Sequence, residues 1–216
     1  MNRIFSTLAF LAIGLMLAVM TLGLCLRLGD VRNPQDLTAQ HWATVHRLAG
    51  ILAALFVVFV HSLVVTYFVG TSRWCREVVE TYQLSPELLQ RGNRIKRRTF
   101  PYAVTSMLGV VILAALGGAA DPAAAMQLKP LDVNLGGASF DVTYTELHFA
   151  GALLIISYIA YAMRIEWHQI QANAEVINTI LAEVKRIRIE KGLDEPESEQ
   201  AAAASDQPSP AGSRQP

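Results

Sequence analysis

Cysteine is nearly absent from this chain of 216 residues: there are two, Cys25 and Cys75, too few and too far apart for a disulfide framework or for the ligand spacings of a zinc site. Charge is scarce as well, at 17% of residues with 18 of each sign, so no basic surface invites a nucleic-acid partner. A Gly-rich phosphate loop, a nucleophile elbow and a paired-cysteine redox motif are all missing. What fills the chain is apolar residues, 52% of the total, gathered into four blocks: Ile4 to Leu26, Leu48 to Val69, Pro101 to Ala120 and Leu147 to Met163.

Each block is nearly free of charge and close to the ~17–25 residues a helix needs to cross ~30 Å of hydrocarbon. The runs are continuous and lack the alternation of barrel strands, which leaves helices as the spanning element. The first block follows Asn2 and Arg3 as a signal peptide would, but its run exceeds the ~7–15 residues of a signal core. Leu24 is also not the small residue a lipoprotein needs before Cys25, so the block is read as a span. The expected fold is therefore an all-α membrane protein, a bundle of four transmembrane helices over residues 1–166.

The segment Gly70 to Thr99 carries Arg73, Arg76, Arg91, Arg94, Lys96, Arg97 and Arg98, against Arg27, Arg32 and Lys129 in the two loops on the other side. The positive-inside rule makes that middle segment cytoplasmic. Both termini are then cytoplasmic in a bacterial-type inner membrane, Arg27 to Val45 and Asp121 to Glu146 lie outside, and Cys25 and Cys75 stand at opposite faces where they cannot bridge.

Small residues, Gly14 and Gly23 in span one and Ala103, Gly109, Ala114 and Ala115 in span three, read as ordinary close helix packing. Ser85-Pro86-Glu87-Leu88 reads as a helix N-cap with proline at the first position, predicting a short amphipathic helix on the inner surface before span three. Gly136-Gly137, followed by alternating Val142, Tyr144 and Leu147, predicts a turn or short hairpin. After span four, Ile170, Ile177, Leu181, Val184 and Ile187 recur at helical steps, predicting a cytoplasmic amphipathic helix over 167–192 that ends at Gly192 and projects or docks on a partner. The tail, 193–216, is Ala, Ser, Pro, Gln and acid and is expected to be disordered.

Topology decides which of the five histidines can meet. Spans two and four run in the same direction, so His46 and His148 lie at one depth near the outer face, the geometry in which two imidazoles clamp one haem iron. Arg47, next to His46, is suited to haem propionates because Arg binds carboxylates through charge-assisted, often bidentate bonds. The competing reading has both histidines capping their helices at the interface while Arg47 snorkels. His61 lies fifteen residues beyond His46, about 22 Å deeper. A second haem there finds no partner histidine on span four, so one haem b per bundle is expected; His61 is a cofactor candidate for such a second haem or, as the competing reading, an interior residue hydrogen-bonded near Ser62 or Thr66. His41 and His168 are expected at the surface, His41 within reach of a propionate. Asp36, Asp141 and Glu146 are read as solvated loop acids available at the same face.

Thr44-Val45-His46-Arg47-Leu48-Ala49-Gly50 opening span two, with Leu147-His148-Phe149-Ala150 opening span four, resembles one four-helix half of the heme A synthase family over Met1 to about Met163. The resemblance implies that His46 and His148 are axial ligands and that Arg47 is the arginine of the family's His-Arg pair. Where the family's catalytic half has a Glu one turn before its first His, this chain has Trp42 between His41 and Ala43, and the outer-loop cysteine pair of some members is missing. The likeness is thus to the non-catalytic, haem-holding half. Three functions follow as expectations: a membrane-embedded b-type haem protein in electron transfer or haem handling; a heme A synthase-like oxidoreductase; and a non-enzymatic assembly subunit. In the last, segment 70–99 and helix 164–192 would meet a redox or assembly partner or a second copy of the chain.

Overall fold

The computed structural model describes residues 1–29, 37–121, 128–135 and 138–193. Arg32, Asp36, the Gly136-Gly137 turn and the tail beyond Leu193 lie outside the described residues. Four helices dominate: α1 (Asn2–Leu28), α2 (Leu37–Thr81), α3 (Pro86–Ala119) and α4 (Tyr144–Glu190). Between α3 and α4, β1 (Leu131–Leu135) pairs antiparallel with β2 (Ala138–Val142), Leu131 opposite Val142, the hairpin anticipated around the glycine pair. All four helices are long and apolar enough to cross a bilayer.

Consecutive helices pack on one another and α1 meets α4, so the four form a ring in which α2 and α4 face each other across the centre. Small residues make that packing close: Ala12, Ala53, Ala103 and Ala162 are all buried. Around them lie Val57, Val60, Val64, Phe68 and Ile159, fully enclosed. The outer surface is apolar too, with Phe10 77% and Leu154 72% exposed. A bundle apolar inside and out suits lipid as its solvent and not water.

The structure replaces two sequence expectations with one continuous feature. The basic segment 70–99 is not a loop carrying a separate surface helix. Instead α2 runs 12 residues past Val69 to Thr81, the chain reverses within four residues where Gln83 adopts φ 53°, and α3 starts at once. Its start is the one the residues announced: Ser85 Oγ accepts from the Glu87 N–H at 3.3 Å, with Pro86 in the first turn. The C-terminal amphipathic stretch likewise continues span four without a break, and its apolar face packs on the chain's own α2–α3 hairpin. Cys75 and Val79 of α2, Ile95 of α3, and Ile170, Val176 and Ile180 of α4 are buried in one cluster, with Arg91 reaching Glu175 at 3.2 Å on its surface. Helices of 45 and 47 residues are about 70 Å long at 1.5 Å per residue, more than twice the ~30 Å of hydrocarbon. The bundle therefore has two ends: a short histidine end, and a basic end prolonged as three packed helices.

Cys25 is exposed and Cys75 buried, which gives a direct check on that extension. A maleimide added to single-cysteine variants should modify Cys25 quickly and Cys75 only on local opening; equal rates in the folded protein would mean that the three helices do not pack there.

Candidate cofactor site at the histidine end

His46 of α2 and His148 of α4 are brought together across the bundle, with ring centroids 6.4 Å apart and planes at 83°. Each ring is held by a neighbouring helix in the same way. His46 Nδ1 lies 3.1 Å from the Val19 carbonyl of α1, and His148 Nδ1 lies 3.2 Å from the Leu113 carbonyl of α3. A carbonyl only accepts, so Nδ1 is the donor in both rings, and the neutral imidazole presents its lone pair at Nε2.

Four residues after each carbonyl stands a glycine against which the ring lies. A Cβ at Gly23 would come within 2.7 Å of His46 Cε1, and one at Gly117 within 2.9 Å of His148 Cε1. Carbonyl, glycine at the fourth residue, and histidine on the next helix thus recur in α1–α2 and in α3–α4. The two halves of the bundle repeat one arrangement about its axis. Of this repeat the sequence shows only the histidines that open spans two and four.

A metal-bound imidazole nitrogen lies about 2 Å from the metal and about 1 Å from its own ring centre, so two imidazoles on opposite sides of one metal have centroids about 6 Å apart. The observed spacing fits, and an Nδ1–H held by a backbone carbonyl is the usual outer partner of a ligating histidine. Among the described residues no group of three or more His, Cys, Asp or Glu side chains could hold a metal ion. A pair of imidazoles suits a metal whose remaining positions a macrocycle fills. An apolar groove lined by Leu22, Cys25, Leu26 and Trp42 opens about one turn from Gly23 and from His46.

Arg47 projects at this end, donating to Asp121 at 2.7 Å and to Thr44 Oγ1 at 2.9 Å. It is therefore anchored by an acid after α3 and is not simply snorkelling. Arg27 lies over the Phe149 ring at 4.9 Å, joining α1 to α4 beside His148. Glu146 does not stand free at the site: it forms a capping box with Thr143, accepting from the Thr143 N–H at 2.8 Å. His41 is exposed and edge-on to Trp42, and His168 is exposed against Trp167.

His61 is interior but has neither expected neighbour as its partner. Its Nδ1 meets Glu166 Oε1 at 2.8 Å, both side chains fully buried, while Ser62 donates to Met107 Sδ. Glu166 escaped the sequence reading because it follows Arg164 just past the apolar run, where charge signals the end of a span. The signal was present in the helical step: Ile159, Met163, Glu166, Ile170 and Asn173 share one buried face, so two polar residues lie on the apolar stripe. Gly117 and Asp121 were also passed over, the first because a glycine near a helix end reads as punctuation.

Compared with family models, with curated proteins and with solved structures, the chain matches none.

Proposed function

We propose that this chain is a multi-pass protein of a bacterial-type inner membrane, with both termini cytoplasmic, in which His46 and His148 hold one b-type haem near the outer face for electron transfer or haem handling. The observation that carries the reading is the pair of imidazoles 6.4 Å apart, each seated on a glycine and tethered through Nδ1 to a carbonyl, so that both Nε2 lone pairs are left for a metal. Orientation rests on the arginines and lysines gathered at the end opposite these histidines.

Arg47 already binds one carboxylate, that of Asp121, at this face, and is the residue suited to a propionate. A haem held by His46 and His148 would supply one-electron exchange. Trp42 at the place of the catalytic half's Glu, and the missing outer-loop cysteine pair, favour electron transfer or haem handling over the methyl oxidation of the heme A synthase family, whose haem-holding half the span-opening motifs resemble. The protein purified from haem-replete cells should show a low-spin, two-imidazole absorption spectrum, and His46→Ala or His148→Ala should each abolish it. A colourless wild-type protein would sink the proposal.

A further inference from the structure

Deep in the bundle, on the basic side of the histidine pair, His61 and Glu166 join α2 to α4 with no exposed side-chain surface. His61 Nε2 and Glu166 Oε2 have no hydrogen-bond partner among the described residues. Ser106 Oγ of α3 is a third buried atom without one. Ser106 neighbours Met107, whose Sδ accepts from Ser62 beside His61, so it stands at nearly the same depth. Three unsatisfied polar atoms from three helices thus gather at one level. Packing does not account for them: apolar residues of similar volume often replace a buried charged pair at no loss of stability, and each unsatisfied atom adds a cost. Ionisable groups inside spanning helices mark ion or proton paths, and unpaired polar atoms around them are anchor points for water.

The surroundings are asymmetric. Towards the histidine end lie fifteen residues of α2 with Val57 and Val60 buried, faced by Ile156 and Ile159 of α4. Towards the basic end, Asn173 Nδ2 donates to Tyr67 Oη and to Thr71 Oγ1, both at 3.1 Å, about two turns from the pair on the same two helices. Only Val64, Phe68 and Ile170 intervene on these buried faces. The charged groups near this level are Arg3 of α1, Arg73 of α2, Lys96, Arg97 and Arg98 of α3, and Arg164 of α4, with His168 titratable beside them; none is hydrogen-bonded to the pair. All but Lys96 are exposed.

We propose that His61 and Glu166 form an exchangeable proton site inside the membrane domain, loaded from the basic end past Thr71, Tyr67 and Asn173. Loading adds one proton from water and takes the pair from one negative charge to neutral; unloading returns the proton by the same route, with no electron transferred. The site does not depend on whether the histidine end holds a haem. Infrared difference spectra of the full-length protein in vesicles, taken across pH, should contain carboxyl bands that titrate and are lost in Glu166→Gln; if that variant fails to fold, Glu166→Asp should shift them. After a switch to D2O, deuteration of this carboxyl should slow at least about tenfold in Tyr67→Phe/Asn173→Leu, while Leu131→Ala on the hairpin leaves it unchanged. The absence of any titrating band sensitive to residue 166 would overturn the site. An exchange rate untouched by the double variant would overturn the entry route.

Discussion

Valine in place of Gly117 should strip the proposed haem from the purified protein, while alanine in place of the adjacent Gly118 should leave it in place. The contrast rests on geometry: a Cβ at Gly117 falls 2.9 Å from His148 Cε1, whereas one at Gly118 meets nothing within 4 Å. The helix backbone does not yield readily, so the imidazole must turn, leaving its rotamer well and its bond to the Leu113 carbonyl. Those losses cost roughly 0.5–1.5 kcal/mol each, and together about a ten- to hundredfold loss in haem retention. Gly23→Val should act equally through His46, where the approach is 2.7 Å. Haem content per polypeptide, from pyridine extracts of the variants, checks the pair. Full retention in both valine variants would mean that neither glycine is an imidazole seat, and loss in Gly118→Ala would point to a general packing fault.

The reason those glycines were not legible in the sequence is physical. A glycine in a span admits any neighbour closely, so Gly23 reads as helix packing, and which atom takes the space depends on how α2 lies against α1. His46 and His148 were legible because depth along a span is fixed by rise per residue, and two parallel helices carry equal depths side by side. The polar residues past the apolar runs gave the opposite difficulty. Charge at Arg73, Arg76 and Arg164 ends the apolar runs, but α2 and α4 continue there because a different surface, the three-helix extension, takes over burial of Cys75, Val79, Ile170 and Val176. Hydropathy registers the change of solvent and not the end of a helix. Glu166 stands at that change, enclosed by its own bundle although its neighbour Arg164 is exposed.

Thermal unfolding in detergent should show that either half of the His61–Glu166 pair alone is worse than none. His61→Leu leaves a buried carboxyl group without its only hydrogen-bond partner among the described residues, and Glu166→Leu leaves a buried imidazole in the same state. Breaking a buried pair in this way costs about 3–5 kcal/mol, and at about 2–4 °C per kcal/mol for a chain of this size the midpoint should fall by about 6–20 °C. The double variant His61→Leu/Glu166→Leu removes both polar groups together and should regain most of that loss, because Val57, Val60, Val64 and Ile159 around them are apolar and Ser106 is unsatisfied with or without the pair. Additive destabilisation in the double variant would mean that the two side chains do not interact in the folded protein. Recovery would separate stability from proton binding: a bundle that folds as well with leucines at 61 and 166 has no structural need of the histidine and the glutamate, as the proposed proton site requires.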